Sequence, residues 1–391
     1  MQAGLIVLCL AYVLSQFFRA FLAVLSSVLA RDLGTVPDDL ATASGLWFAS
    51  FALMQLPVGW ALDRIGPRRT AASLLLIGGG GGAALFALAT SALQVKLAML
   101  LIGIGCSPVL MASYYIFARE FPPRRFATLA ALMLGVGSVG NLVASYPTAL
   151  AAELIGWRGT LAALAALSGA VAIGIFLTVR DPETAPKDQK GSVFQLLKLP
   201  VMWAILPMML VNYAPSGALR GLWIGPYLTD VFALSTAQVG QATFVMGLAM
   251  IVGTFTYGPL DRVFGTRKWV AFFGNLGGAA CLGLLVLCID SNLFLSIVLI
   301  ALIGFLGGSF PMVIAHGRGF FPPHLVGRGV TLMNLFGIGG VGLTQFVSGR
   351  IHEMVPGDVS AAAPYAAIFG FFGLILLIGT LIYGFSRDSM D

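Results

Sequence analysis

Twelve long apolar runs dominate this sequence. They lie near 4–30, 40–61, 71–92, 95–117, 127–149, 158–179, 201–229, 237–257, 269–289, 293–315, 329–349 and 364–386. An α-helix needs about 20 residues to cross a hydrocarbon core. In lipid each backbone amide must find its partner inside its own segment, so runs of this kind fold as helices. The fold class expected is an all-α membrane protein with 12 transmembrane helices. Composition agrees, since only 10% of the 391 residues are charged and 58% are hydrophobic. A soluble domain carries about 25% charge.

The first 30 residues have no basic segment ahead of the apolar run and no small-residue cleavage site, so they read as a retained first helix. Cys9, Cys106, Cys281 and Cys288 all sit in apolar runs without metal-site spacing, the pattern of buried inert thiols. The run "IGGGGGAA" in the third span lacks a phosphate-loop lysine and reads as a close-packing face. Net charge is +6, but its placement is topological. With both termini cytoplasmic, sixteen of the 22 Lys/Arg fall on the inner side and four (Arg31, Lys96, Arg158, Arg350) on the outer. That asymmetry sets the orientation and makes a nucleic-acid partner unnecessary.

The last two basic residues, Arg19 and Arg220, lie inside the first and seventh spans. A charge at the centre of a membrane helix costs about 2.5–3.5 kcal/mol on insertion scales. All sixteen acids fall in loops or at helix ends, so neither arginine has an intramembrane carboxylate close in sequence.

The chain repeats itself at half its length. "AREFPPRRFATLAALMLGVGSVG" (118–140) parallels "GRGFFPPHLVGRGVTLMNLFGIGGVG" (317–342): Pro122–Pro123 matches Pro322–Pro323, and Gly137 and Gly140 match Gly337 and Gly340. Asp63 in "GWALDRIGPRR" matches Asp261 in "GPLDRVFGTRK". Half-chain repeats mark transporter folds. The expected organisation is residues 1–179 as one six-helix bundle, 180–200 as a cytoplasmic linker in which "SVFQLLKL" forms a short surface helix, and 201–391 as the second bundle.

Gly59, Asp63, Arg64, Gly66, Arg68 and Arg69 stand at the spacing of the loop signature of the major facilitator superfamily, with a degenerate copy in Asp261, Arg262, Gly265, Arg267 and Lys268. The whole chain resembles that superfamily of secondary transporters. The resemblance implies two pseudo-symmetric six-helix bundles, a central cavity lined by spans one, four, seven and ten, and alternating access by rocking of the halves. It also implies that the signature residues hold the cytoplasmic side shut. Asp63 would meet a neighbouring helix N-terminus or a basic residue. The fourth-span arginine motif of proton-coupled relatives is missing, with only Lys96 at the outer end of that span. The fifth-span antiporter signature is half present. "GVGSVGN" is similar to a nitrate-transporter signature, but the arginines of those relatives, in spans two and eight, are absent.

Adding the repeat offset of 198–200 to Arg19 gives 217–219, so Arg220 lies within a turn of its expected mate. The two should face each other across the cavity, a layout that resembles the organophosphate:phosphate antiporter branch in position. Guanidinium binds carboxylate, nitrate or phosphate oxygens bidentately and stays charged when desolvated. The other reading is structural: each arginine bonds carbonyls at a helix break or snorkels outward, and "NYAPSGALRG" suggests such a break beside Arg220. Supporting candidates are Tyr12 and Gln16, on one face with Arg19, together with Asn212, Tyr213, Trp223, Tyr114 and Tyr115. As a set they read as a polar pocket with aromatic walls.

Met246 and Met250 are spaced i, i+4, and thioethers suit Cu(I). A copper-importing branch of the superfamily pairs such methionines with His-x-x-x-Met, which does not occur here. His316 reads as a solvated or capping group. No nucleophile–base pair or metal-ligand cluster points to an enzyme, a metal site or a cofactor. The sequence thus favours a monomeric secondary active transporter in a bacterial inner membrane, with a small anionic solute as partner: an organic acid, a phosphate ester or an inorganic anion. Protons or a counter-anion would be the coupling partner. The alternatives are a proton-coupled exporter of drugs or other neutral or cationic metabolites, and a copper importer. Proton symport would have to use a rim carboxylate such as Asp32 or Asp230.

Overall fold

A computed structural model describes residues 2–182, 193–322, 325–355 and 360–389. Most of the expected linker, with Lys187 and Lys190, lies outside the described residues, as does Pro323 of the repeat. The chain divides into two compact units, Met1–Lys187 with Thr236–Gly240, and Asp188–Ser235 with Gln241–Asp391. No strand occurs among the described residues.

The first unit holds α1 (Gln2–Phe17), α2 (Leu22–Leu33), α3 (Pro37–Leu53), α4 (Gln55–Arg64), α5 (Pro67–Leu74), α6 (Gly81–Ala87), α7 (Ala92–Cys106), α8 (Pro108–Glu120), α9 (Pro123–Val143) and α10 (Tyr146–Thr178). A π-helical turn, Leu75–Gly80, joins α5 to α6. The second unit holds α11 (Met202–Asn212), α12 (Ala214–Ala218), α13 (Ile224–Phe232), α14 (Thr236–Phe264), α15 (Lys268–Leu287), α16 (Leu293–Gly307), α17 (Phe310–Arg318), α18 (Val326–Met354) and α19 (Ala363–Tyr383). Its π-helical turn, Leu219–Trp223, joins α12 to α13. The segment Val193–Lys198 forms a short 3₁₀ helix.

Proline explains many of these boundaries. It occupies the first turn of α3, α5, α8, α9 and α19, where its missing N–H has no intrahelical partner to lose. Among the described residues, eight helices are long and apolar enough to cross a membrane, or ten if each bent pair is one span. The bent pairs are α1–α2, at 54°, and α3–α4, at 40°. The fifth and seventh expected spans fall outside that count. The fifth corresponds to α9, of which Leu132–Val143 counts as a shorter apolar helix. The seventh is interrupted at Tyr213, next to Pro215. Large apolar side chains such as Leu53, Leu177, Phe255 and Leu287 face outward, as a lipid-facing surface requires.

The repeated glycines are explained by backbone approach. A Cβ on Gly140 of α9 would stand 2.0 Å from the Val13 carbonyl oxygen of α1. A Cβ on Gly340 of α18 would stand 1.9 Å from that of Leu210 in α11. Only a residue without a side chain lets these helices touch. The glycine run of the third span is likewise a packing face, with Gly79 directly against Gly105 of α7.

Candidate functional site

In the first unit the site is organised by a helix break that contains neither proline nor glycine. The α-helical ladder ends at Phe17 and resumes at Leu22, and Ala20 N–H donates to Phe17 O in a tighter i→i+3 turn. Phe17, Phe18 and Phe21 pack together, with ring centroids 5.6–5.9 Å apart, and all three are buried. Arg19 sits within that turn rather than on a continuous helix, so the expected single face with Tyr12 and Gln16 is interrupted. Tyr12 and Gln16 do meet, with Gln16 Nε2 donating to Tyr12 Oη at 2.8 Å. Tyr114 lies on α8, its ring centre 6.4 Å from that of Phe117.

The Arg19 guanidinium carbon stands 5.3 Å from the ring centre of Trp47 and 5.5 Å from that of Phe51. The two rings stack on each other at 5.2 Å, because i, i+4 spacing places them on one face of α3. A desolvated cation–π contact contributes up to about 2 kcal/mol, which offsets part of the cost of a charge in the membrane. Among the described residues Arg19 makes no ion pair, and its buried Nε has no hydrogen-bond partner. Neither Trp47 nor Phe51 was legible as a site residue. Their only signal is W-x-x-x-F in the second span.

Tyr115 belongs elsewhere. The Arg119 guanidinium lies 3.8 Å from its ring centre, and Arg119 Nη2 stands 3.8 Å from Asp63 Oδ1. Asp63 therefore meets a basic residue, not a helix N-terminus. The N-terminus of α5 is taken by Asp181, which accepts the Arg68 N–H at 2.8 Å and stands 3.5 Å from Arg68 Nε. Gly66 makes this possible: its φ is +97°, and a Cβ there would lie 2.7 Å from Asp181 Oδ1. Arg64 and Arg69 are exposed. Gly59 has open space around it, with Met111 Cε the nearest atom at 3.9 Å.

The second unit repeats this tie. Arg267 Nε pairs with Asp261 Oδ2 at 3.2 Å, while Arg262 is exposed. Asp388 accepts the Lys268 N–H at 3.0 Å and a short bond from the Thr266 hydroxyl at the start of α15. Asp181 and Asp388 each end an Arg-Asp dipeptide just after the last helix of their half, 207 residues apart. His316 is fully buried, which corrects the solvated role expected. Its Nδ1 faces Tyr383 Oη at 2.6 Å and its Nε2 faces the Arg387 carbonyl at 2.8 Å. A carbonyl only accepts, so Nε2 carries the proton and the Tyr383 hydroxyl donates to Nδ1.

Arg220 is 1% exposed and lies in the π-helical turn, with Nη2 donating to Tyr213 Oη at 3.0 Å. These two candidates are therefore brought together. Asn212 joins a different cluster, donating to Asn275 Oδ1 at 2.7 Å and Ser309 Oγ at 3.0 Å. With Ser216 and Asn275 it lines a small pocket between α11, α12, α15 and α16. Trp223 is fully buried; its indole N–H donates to Ser348 at 2.8 Å and its ring stacks on His352. Among the described residues no group of three or more His, Cys, Asp or Glu could hold a metal ion.

A chain built of apolar helices of membrane-crossing length is an integral membrane protein. It belongs to the Major Facilitator Superfamily, whose family model matches residues 8–224 and 205–389. A purine ribonucleoside efflux pump, NepI of Escherichia coli O6:K15:H31 (strain 536 / UPEC), is 26% identical over 162 residues. That match spans 40% of this chain and 41% of the pump's length. Among solved structures, a bacterial homologue of the human lysosomal transporter Spinster, inward-facing and occupied, superposes with a TM-score of 0.79 at 18% identity, covering 98% of this chain and 96% of that one. A point mutant of the nucleoside transporter NupG gives a TM-score of 0.77 at 16% identity, covering 98% of this chain and 99% of that one. At these identities the likeness is one of fold.

Proposed function

We propose that this transporter carries a small anionic solute, an organic acid, phosphate ester or inorganic anion, across a bacterial inner membrane by alternating access. The observation that carries the reading is Arg19: a guanidinium at a break in a membrane helix, held on Trp47 and Phe51, making no ion pair among the described residues. A fixed cation that meets no carboxylate among the described residues is best neutralised by a solute that brings one. Arg220, on the helix equivalent by repeat, is the second positive group in this reading. In this reading Tyr12, Gln16 and Tyr114 in the first unit, and Asn212 and Tyr213 in the second, are the further polar groups assigned to the solute, each within its own unit. The twelve-span count, the cytoplasmic termini and the division into two six-helix halves joined near 180–200 belong to the same proposal. Anion exchange needs no proton carrier, and Asp32 and Asp230 are the rim carboxylates that a symporter would use.

In this reading the Asp63–Arg119–Tyr115 cluster and the Asp261–Arg267 pair are parts of the cytoplasmic gate. The first joins α4 to α8, and the second joins the end of α14 to the start of α15.

A second reading, export of an uncharged nucleoside-like solute, is favoured by the similarity to NepI. Uptake into proteoliposomes separates the two. Inorganic phosphate, glycerol 3-phosphate, lactate and nitrate are compared with adenosine and xylose, in the unmodified protein and in Arg19→Gln. Saturable anion uptake that Arg19→Gln abolishes supports the anion reading. Adenosine uptake that survives Arg19→Gln, without anion uptake, overturns it.

A further inference from the structure

On the ring beneath Arg19 lies a second buried donor without a hydrogen-bond partner among the described residues. Trp47 is fully buried in α3, and its indole Nε1 has no hydrogen-bond partner. Burying an N–H without an acceptor is unfavourable, and most buried tryptophans find one. Phe48 and Phe51 pack around the ring, at 4.9 and 5.2 Å between centroids, and offer no acceptor. Arg19, 5.3 Å from the same ring centre, also leaves its buried Nε unmatched. The indole N–H lies in the ring plane, so a guanidinium set over the ring face leaves it uncovered. Two unmatched donors thus belong to side chains in contact, the guanidinium carbon 5.3 Å from the ring centre, and one of them carries a positive charge. A cationic group would be repelled, and an uncharged oxygen would accept from them but leave the charge unneutralised. A carboxylate or phosphate has lone pairs for both, and a charge-assisted bond to each is roughly twice as strong as a neutral one.

We infer that Trp47 is the second donor of an oxyanion site in the first unit, with Arg19 supplying the charge and the Trp47 indole N–H fixing where the oxygen sits. The inference rests on the anion reading above and adds to it a residue that selects among anions. Phe51, stacked on Trp47, positions the guanidinium without touching the ligand oxygen.

Trp47→Phe is the informative variant, since it keeps an aromatic ring beneath Arg19 and removes the N–H together with the pyrrole part of the indole. The full chain in proteoliposomes is assayed with phosphate, glycerol 3-phosphate and lactate. For whichever of these is carried, Trp47→Phe should raise KM about tenfold, the effect of roughly one hydrogen bond, with the maximal rate kept. If Trp47→Phe leaves KM within twofold while Arg19→Gln loses uptake, Trp47 is only packing and the anion reading survives without it. If none of the three anions is carried, or Arg19→Gln carries them fully, the anion reading itself fails and the Trp47 site fails with it. Should Trp47→Phe not fold, the indole N–H signals of the ¹⁵N-labelled unmodified protein decide the matter. The other five tryptophans are assigned by single Phe variants, leaving the Trp47 resonance. That resonance should move downfield on titration with the carried anion, and an unmoved Trp47 signal overturns the site.

Discussion

Asp32 accepts a 2.8 Å hydrogen bond from the indole N–H of Trp157. The relationship recurs in the other unit, where the Tyr365 hydroxyl donates a short bond to Asp230, 198 residues after Asp32. Each bond ties the helix before a loop to a helix later in the same compact unit, so each should hold its unit together at that end.

Trp157→Phe should therefore lower the unfolding free energy by about 1 kcal/mol, the value of a partly exposed bond to a charged acceptor. Tyr365→Phe should do the same. A double-mutant cycle of Trp157→Phe with Asp32→Asn, read by thermal unfolding in detergent, should show coupling of similar size. Additive effects would mean that the pair stands together without interacting.

Gly340 and Gly370 should respond oppositely to the same change. A methyl group on Gly340 meets the Leu210 carbonyl at 1.9 Å, whereas one on Gly370 meets nothing within 4 Å. Gly340→Ala must push α18 away from α11 and should cost about 1–3 kcal/mol, the range for overpacking. Gly370→Ala, within α19, should be neutral or stabilising by up to about 1 kcal/mol. The yield of monodisperse protein and the unfolding midpoint measure both.

The contrast shows what the sequence could carry. Apolar run length identified helical spans because lipid leaves the backbone no other solution, and repeated glycines marked the helix contacts because only contact demands them. The break around Arg19 had no such marker: phenylalanine packing makes it, and packing is tertiary. Trp47 was silent for the same reason, since its relation to Arg19 crosses between α3 and the turn after α1. Tyr115 looked like a pocket wall and instead lies under Arg119. The Arg-Asp dipeptides at 180–181 and 387–388 were visible, but their targets are helix N-termini, which have no letter of their own.

The Asp388 tie should be sensitive to acid. Partial burial alone would raise the carboxyl, but bonds from the Thr266 hydroxyl and the Lys268 and Ser389 N–H groups, with the nearby His316, outweigh it and hold the group below its ordinary 3.8. A folded value below the unfolded one means that the stabilisation is complete above about pH 4 and fades as pH falls through the folded value. Hydrogen exchange at the first turn of α15, corrected for the intrinsic pH dependence, should therefore quicken only below about pH 4. Asp388→Asn should show the quickened exchange at neutral pH, and protection unchanged by that variant would refute the cap.

Arg220 and Tyr213 allow structure and binding to be separated. The guanidinium is buried and one of its donors is satisfied by the Tyr213 hydroxyl. Tyr213→Phe removes that acceptor and should cost about 1.5–3 kcal/mol, the range for a hydrogen bond involving a charged group. Arg220→Lys keeps the charge but loses the planar fork that grips an oxyanion bidentately. If Arg220 also binds solute, Arg220→Lys should raise KM for the carried anion by about tenfold or more. Tyr213→Phe, at a similar loss of stability, should raise it much less. Unfolding midpoints and uptake kinetics on the same preparations test this. If KM tracks stability alone through both variants, the part played by Arg220 is to hold the interrupted seventh helix in shape.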